Sequence, residues 1–144
     1  MNIELLQLLL LIIIANGAPI VMRVLLNQHF NIAVDFDHQL LDKQPVFGES
    51  KTWRGIFSAL IVTSIAAWLL DYPLITGLQV AIYVVFGDLT SSFIKRRLGK
   101  KPSSMALFID QIPESLFPAL MMMEDFSLDY PDVIELVLIF IIIE

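Results

Sequence analysis

Residues 74–97 read LITGLQVAIYVVFGDLTSSFIKRR, an apolar run that ends in three consecutive basic residues. The apolar part, residues 74–94, has about the 20 residues that a helix needs to cross a hydrocarbon core about 30 Å thick. Four further apolar runs occupy residues 5–26, 56–70, 104–123 and 133–143. The pattern predicts an all-α integral membrane protein of about five transmembrane helices, with residues 1–144 forming a single membrane domain.

The amino-acid composition is typical of a protein that is surrounded by a lipid bilayer. Of the 144 residues, 57% are hydrophobic and only 17% are charged. A soluble domain of this size could not bury so much apolar surface, whereas a bilayer accommodates it. The sequence has no cysteine, which excludes a disulfide, a thiolate metal site and a cysteine nucleophile.

The last apolar run is short for a transmembrane helix. Residues 133–143 give about 11 residues, or about 16 Å of helix, which is less than the thickness of the hydrocarbon core. Either this segment tilts into the bundle or the native chain continues beyond Glu144. Because the chain stops within a run of Ile-Phe-Ile-Ile-Ile, we favour truncation.

The connections between the apolar runs differ in the sign of their charged residues. All nine basic residues accompany the first and third connections: Arg23, Lys43, Lys51, Arg54, Lys95, Arg96, Arg97, Lys100 and Lys101. The second connection has only Asp71, and the fourth is acidic. The positive-inside rule therefore places the N-terminus outside and these two connections in the cytoplasm. We expect a multi-pass protein of the cell (inner) membrane whose active site faces the cytoplasm.

The first connection, of roughly 30 residues, is longer than a simple link requires. In it Phe30, Ile32, Val34 and Phe36 alternate with smaller or polar residues, as in an amphipathic strand. This alternation favours a short β-hairpin that caps the bundle on the cytoplasmic side.

Hydroxyl groups and cations cluster at the start of the second run, in Phe47-Gly48-Glu49-Ser50-Lys51-Thr52-Trp53-Arg54-Gly55. A helix that begins here would present free backbone N–H groups, which favour anions. The segment is not a Walker A loop, because Ser50 rather than glycine precedes Lys51. The alternative interpretation is a positive-inside flank with Trp53 at the membrane interface.

A second cluster ends the third run. Asp88 follows a long apolar stretch, where a deeply placed carboxylate costs about 2.5–3.5 kcal/mol on insertion scales. On a helix it shares a face with Ser91, Ser92 and Lys95. This set suits a metal–phosphate site, since Mg²⁺ takes one or two carboxylates together with substrate phosphates. The alternative is an interfacial aspartate paired with Lys95 or with water.

Polar residues also interrupt two other runs. Asp110 and Glu114 lie one helical turn apart in the fourth run, and Pro113 between them is expected to disrupt the hydrogen-bond ladder. Carboxylates inside a membrane helix indicate function unless an intramembrane ion pair fixes the packing. Asn16, in the middle of the first run, either hydrogen-bonds between helices or lines a cavity.

Together these clusters indicate phosphoryl or nucleotidyl transfer. Such reactions need metal ions that bridge phosphates and cations that absorb developing charge, with little covalent work by the protein. A site at the membrane surface suits one soluble, phosphate-bearing substrate and one lipid.

Three motifs resemble the CDP-archaeol synthase family, small five-span enzymes related to the CDP-diacylglycerol synthases. They are Gly48…Lys51-Thr52-Trp53-Arg54-Gly55, Gly87-Asp88…Ser92-Phe93-Ile94-Lys95-Arg96-Arg97-Leu98-Gly99 and Asp110-Gln111-Ile112-Pro113. The resemblance covers roughly residues 15–120, with the motifs in the family's order. Residues 103–106 and 110–115 are more similar to bacterial members than to archaeal ones.

The resemblance implies that CTP and a lipid phosphate of the archaetidic or phosphatidic type give CDP-lipid and pyrophosphate, with Mg²⁺ required. It implies Asp88, Asp110, Lys95 and Lys51 as catalytic residues, and Asp88, Asp110 and Glu114 as metal ligands. Asp35 and Asp42 are further candidates in the first connection. The implied substrate-binding residues are Ser50, Thr52, Arg54, Ser91, Ser92, Arg96, Arg97 and Asn16.

Two alternative functions stay open. One is a CTP-dependent polyprenol or lipid kinase, which would release CDP and a lipid monophosphate. The other is a non-catalytic anion transporter or membrane assembly subunit, although no inverted repeat of the kind found in many transporters is visible. We expect no nucleic-acid partner. The lipid and the base selectivity stay open, and so does the oligomeric state, for which a homodimer is the default expectation.

Overall fold

Five α-helices build the part of the protein that the structure describes. The computed structural model describes residues 2–144, and no β-strand occurs within them. The helices are α1 (Ile3–Leu26), α2 (Trp53–Leu69), α3 (Leu74–Arg97), α4 (Gln111–Met121) and α5 (Tyr130–Ile143). α1 and α3, with 24 residues each, are long and apolar enough to cross a membrane, and α2 is a shorter apolar helix. The predicted all-α architecture is confirmed, with altered bounds for several elements.

Side chains at several helix starts accept hydrogen bonds from backbone N–H groups that have no partner within the helix. Asn2 accepts from the N–H of Glu4 at the start of α1, and Thr52 accepts from the N–H of Gly55 at the start of α2. Asp129 and Asp132 form a reciprocal capping box at the start of α5. These caps explain why α2 begins before its apolar run and α5 before residue 133.

Polarity changes along the interior of the bundle. One end has an apolar core, which includes Leu5, Leu8, Ile12, Val80, Leu136 and Phe140. The end formed by the last turns of α3 and the first turn of α4 instead buries polar groups, namely Ser91, Ser92, Lys95, Arg96, Gln111 and Ser115. Large apolar side chains such as Ile20, Phe57, Ile61 and Trp68 point outward, as expected for a surface in contact with lipid.

α3 contacts its neighbours through two glycines. A Cβ atom on Gly87 would lie 2.2 Å from the carbonyl oxygen of Pro113 in α4. A Cβ atom on Gly77 would lie 2.5 Å from the carbonyl oxygen of Thr63 in α2. Since no side chain fits in either gap, glycine allows the backbones to approach closely, as small residues do in membrane helix packing.

The fourth apolar run is helical over only part of its length. Turns precede α4, and Asp110 lies at its N-cap position rather than inside a helix. The expectation that Pro113 disrupts the hydrogen-bond ladder is wrong. Pro113 lies in the first turn, where backbone N–H groups have no partner within the helix in any case.

The first connection forms turns instead of the expected strand and hairpin. Its antiparallel pairing is limited to two isolated bridges, between Ala33 and Thr52 and between Gln39 and Pro45. Phe30, Phe36 and Asp37 have positive φ values of 58°, 49° and 62°. Such values interrupt an extended strand, so the alternation of apolar residues did not predict the local structure here.

A buried carboxylate organises this connection. Asp35 is 8% exposed and accepts hydrogen bonds from the backbone N–H groups of Phe47 (2.9 Å), Gly48 (3.0 Å) and Asp37 (3.1 Å). Burial alone would raise the pKa of Asp35, but the hydrogen bonds from Gly48, Phe47 and Asp37 lower it below its ordinary value of 3.8. Asp35 therefore fixes the connection directly before Ser50 and Lys51.

We expect Asp35→Asn to loosen this connection by about 1–3 kcal/mol, because the three backbone N–H donors would face an amide instead of a buried carboxylate. Hydrogen exchange of the Phe47 and Gly48 amides should accelerate. Because the folded pKa is lowered, the stabilisation by Asp35 is present above pH 3.8 and is lost as the pH falls through the folded pKa. Asp37→Asn removes the same charge from an exposed neighbour and is the control. Equal exchange rates in the two variants would contradict this role.

Candidate active site

One cavity of about 470 Å³ lies at the polar end of the bundle. α1, α3, the first turn of α4 and the residues on either side of the start of α2 form its walls. Its apolar lining includes Ile13, Ile20, Ile56 and Val84. Its polar lining includes all four predicted catalytic residues, Lys51, Asp88, Lys95 and Asp110. The cavity therefore combines a charged part with an apolar part.

The first of two ion pairs in the cavity joins the first connection to α3. The Nζ atom of Lys51 lies 2.5 Å from Oδ1 of Asp88, and both side chains are partly exposed. Lys51 directly precedes Thr52, the residue that caps α2, and Asp88 directly follows Gly87, where α3 touches α4. A helix cap and a helix contact therefore hold the two partners in place.

The second ion pair joins α3 to the turn before α4. The Nζ atom of Lys95 lies 2.7 Å from Oδ1 of Asp110 and donates a hydrogen bond of 2.8 Å to the carbonyl oxygen of Ser104. The other carboxylate oxygen of Asp110 accepts a hydrogen bond from the N–H of Ala106. The irregular segment before α4 thus folds around Lys95, which is buried.

Glu114 adds a third carboxylate to the same cavity from the first turn of α4. It enters beside Asp88, since a Cβ atom on Gly87 would lie 2.9 Å from the Cα atom of Glu114. Within residues 2–144, no lysine, arginine or histidine nitrogen lies within 4.0 Å of its carboxylate. With Glu144, four acidic residues therefore line the cavity, and two of them, Asp88 and Asp110, have a cationic partner.

Four predicted substrate-binding residues also line the cavity: Asn16, Ser50, Thr52 and Arg54. The guanidinium of Arg54 donates to the carbonyl oxygens of Asn27 (2.5 Å) and His29 (2.6 Å), and so ties the end of α1 to the start of α2. The amide nitrogen of Asn16 is buried, and no hydrogen-bond partner for it lies among the described residues.

The other four predicted substrate-binding residues, Ser91, Ser92, Arg96 and Arg97, lie outside the cavity lining. Three of these bind the backbone: Ser91 bonds to the carbonyl oxygen of Asp88, Arg96 to that of Lys101, and Arg97 to those of Gln44 and Pro45. Arg97 also pairs with Asp42 at 3.2 Å. The contacts of Arg96 and Arg97 hold the connections in place, and a contact of any of the four residues with substrate stays a prediction.

The structure adds cavity residues that the sequence patterns did not single out. Arg23 lines the cavity from the last turn of α1, and Gln111 lines it from the start of α4. Arg23 could have been found by periodicity, because it lies seven residues after Asn16 and therefore on the same helix face. Gln111 lies within the motif Asp110-Gln111-Ile112-Pro113, but its residue type alone suggested no role.

The donor set fits a divalent cation. Within residues 2–144, no three acidic or histidine side chains already stand together as a set of metal ligands. However, Asp88, Asp110 and Glu114 line one cavity. Asp88 and Asp110 each form an ion pair with the ammonium group of a lysine. Mg²⁺ usually binds through one or two carboxylates and completes its shell with water and substrate phosphates. Carboxylates opening onto a cavity are suited to that role.

Comparison with known proteins connects this site to a family. The family model described as CarS-like, CDP-archaeol synthase, matches residues 3–144. The CDP-archaeol synthase of Staphylothermus marinus is 33% identical over 114 residues, which cover 74% of this chain and 61% of that protein. The CDP-archaeol synthase of Hyperthermus butylicus is 35% identical over 104 residues, which cover 68% of this chain and 59% of that protein. The chain thus spans about three fifths of the length of these curated relatives.

One solved structure shares the fold. It is described as giving structural insight into an intramembrane enzyme for archaeal membrane lipids biosynthesis. The TM-score is 0.83 at 23% sequence identity, with 99% of this chain and 91% of that chain covered. The likeness shows the fold, and α1 and α3 within that fold are long and apolar enough to cross a membrane.

Proposed function

The chain belongs to the CDP-archaeol synthase family, and from this premise we propose that it is a cytidylyltransferase. It would convert CTP and a lipid phosphate to CDP-lipid and pyrophosphate. The observation that carries the proposal is the cavity in which the pairs Lys51–Asp88 and Lys95–Asp110 meet the carboxylate of Glu114. That cavity combines phosphate-binding cations, carboxylates and an apolar wall.

In the proposed reaction, an oxygen of the lipid phosphate attacks the α-phosphorus of CTP. A new oxygen–phosphorus bond forms, the bond between the α-phosphorus and the bridging oxygen breaks, and pyrophosphate leaves with the bond electrons. Negative charge develops on the phosphate oxygens, where the ammonium groups of Lys51 and Lys95 would stabilise it. Because the two ion pairs already hold these lysines at the cavity, little reorganisation is required.

The three carboxylates have a separate task in this proposal. Asp88 and Asp110 would hold Mg²⁺, with Glu114 as a third ligand, and the ion would neutralise charge on the phosphates that it binds. The same carboxylates orient Lys51 and Lys95 in the structure described here. Ser50 and Thr52 would add hydroxyl donors to phosphate oxygens at the start of α2.

We place this site at the cytoplasmic face of the cell membrane. The cavity lies at the same end of the bundle as the two connections that contain the basic residues. The positive-inside rule assigns that end to the cytoplasm, where CTP is available. The outward-pointing apolar side chains would face the lipid that also supplies the second substrate.

The test is a turnover assay on the full-length chain in nanodiscs. CTP labelled at the α-phosphorus would be supplied with Mg²⁺ and a panel of lipids: phosphatidic acid, an ether-linked analogue, polyprenyl phosphate and polyprenol. We expect labelled lipid and pyrophosphate in equal amounts, both abolished by a chelator of divalent cations. Labelled CDP without labelled lipid would indicate the kinase instead. No consumption of CTP by folded protein would refute catalysis and favour the transport or assembly function.

A further inference from the structure

Arg23 differs from the other cations of the cavity in lacking a partner. Lys51 and Lys95 pair with Asp88 and Asp110, and Arg54 bonds to two backbone carbonyl oxygens. Within residues 2–144, no carboxylate lies within 4.0 Å of the guanidinium of Arg23, and its side chain makes no hydrogen bond. Arg23 is thus an exposed residue of the cavity lining whose guanidinium has no partner in the described part of the chain, whereas the other three cations of the lining each have one.

The position of Arg23 on α1 places it at the border between the cavity and the lipid. Ile13, Asn16, Ile20 and Arg23 follow one another at spacings of three or four residues, so one face of α1 lines the cavity. Arg23 lies about 10 Å along the helix axis from Asn16, towards the basic end of the bundle. Ile20 lines the cavity and is also 60% exposed on the surface that faces lipid. An apolar chain in the bilayer could thus lie against Ile20 while its polar head reaches Arg23.

The cations of the cavity thereby divide between two walls. Lys51 and Lys95 lie among the three carboxylates, at the part suited to Mg²⁺ and a triphosphate. Arg23 lies on the α1 wall, next to apolar residues. A planar guanidinium can bind a terminal phosphate monoester through two parallel hydrogen bonds, which an ammonium cannot.

We propose that Arg23 binds the phosphate group of the lipid substrate and holds it against the α1 wall. This assignment rests on the proposed function for the identity of the ligand. Arg23 would be the residue that distinguishes a lipid phosphate from the corresponding neutral lipid, while the lysines bind the nucleotide.

The test separates the two ligands by measuring their binding to the full-length protein in detergent by calorimetry. The probes are dioctanoyl phosphatidic acid, dioctanoylglycerol, glycerol 3-phosphate and CTP with Mg²⁺. We expect Arg23→Gln to weaken phosphatidic acid binding about 10- to 100-fold, the cost of losing a charge-assisted hydrogen bond. CTP affinity should change less than about threefold, and Arg23→Lys should recover part of the loss. In wild-type protein, dioctanoylglycerol and glycerol 3-phosphate should bind much more weakly than phosphatidic acid.

Lys100→Gln is the matched control, because it removes the same charge from an exposed residue outside the cavity. If Arg23→Gln weakens phosphatidic acid binding no more than Lys100→Gln does, Arg23 is only a positive-inside flank and the proposal is wrong. It is also wrong if CTP binding falls as much as lipid binding, since Arg23 would then belong to the nucleotide site. Lipid-phosphate binding that depends on Arg23 in a protein without CTP turnover would support the site and refute the cytidylyltransferase.

Discussion

Asp88→Asn is expected to lower the rate of CDP-lipid formation about 100- to 1000-fold at saturating substrates, the loss typical of removing a preorganised electrostatic group. Asparagine has nearly the same shape but lacks the charge that holds Lys51 at 2.5 Å and that would bind Mg²⁺. Asp110→Asn should have a comparable effect through Lys95. The measurement is the initial rate of labelled lipid formation, with folding monitored by size-exclusion chromatography and thermal unfolding.

Two controls separate catalysis from folding. Asp125→Asn removes an exposed carboxylate from the acidic fourth connection and should leave the rate unchanged. The double variant Asp88→Asn/Lys51→Gln removes both charges of the pair, so it avoids leaving an unpaired charge in a partly buried site. Its thermal stability should recover relative to Asp88→Asn, but its turnover should not. Full activity in both single aspartate variants would refute the assignment of these residues.

The sequence predicted the number of helices because each helix has its own apolar run. Such runs are local and independent of what packs against them, so their recognition needs no knowledge of the fold. The bounds were less predictable, because caps and turns decide them. Residues 104–110 are apolar enough to continue a helix, but in the structure they turn around Lys95.

Helical periodicity predicted only part of the candidate site. Asp88 and Lys95 are seven residues apart, nearly two full turns, and both line the cavity. Ser91 and Ser92 lie to either side of that line and are buried outside the cavity lining. Spacings of three and four residues identify a broad face of a helix, whereas only a narrow strip of that face lines the cavity.

Contacts between distant segments could not be read from the sequence. Nothing in the neighbourhood of Lys51 identifies Asp88 as its partner, and the motif around Arg96 and Arg97 does not show that they bind backbone carbonyl oxygens. The same holds for Asp35, whose three backbone N–H donors include two that follow it by more than ten residues. Residue type predicted which groups are capable of binding phosphate or a metal ion. The fold decides which of these groups face the cavity.

Gly87→Ala is expected to lower turnover about 100-fold, because a displacement of about 1 Å at a reacting centre has effects of that size. A Cβ atom at residue 87 would lie 2.2 Å from the carbonyl oxygen of Pro113 and 2.9 Å from the Cα atom of Glu114. Both contacts are with backbone, so a side-chain rotation cannot relieve them and α3 must move away from α4. That movement separates Asp88 on α3 from Glu114 on α4. The measurement is the rate of CDP-lipid formation per folded protein.

Gly77→Ala is the matched comparison for this effect. A Cβ atom there would lie 2.5 Å from the carbonyl oxygen of Thr63 and 2.6 Å from the Cα atom of Ser64, so it also forces α3 away from α2. Gly77 lies about 15 Å along α3 from Gly87 and does not line the cavity. Overpacking should destabilise both variants by about 1–3 kcal/mol or more, but only Gly87→Ala should lose turnover per folded molecule. Equal losses would mean that α3 transmits any packing defect to the cavity, and the α3–α4 contact would then have no special role in positioning the carboxylates.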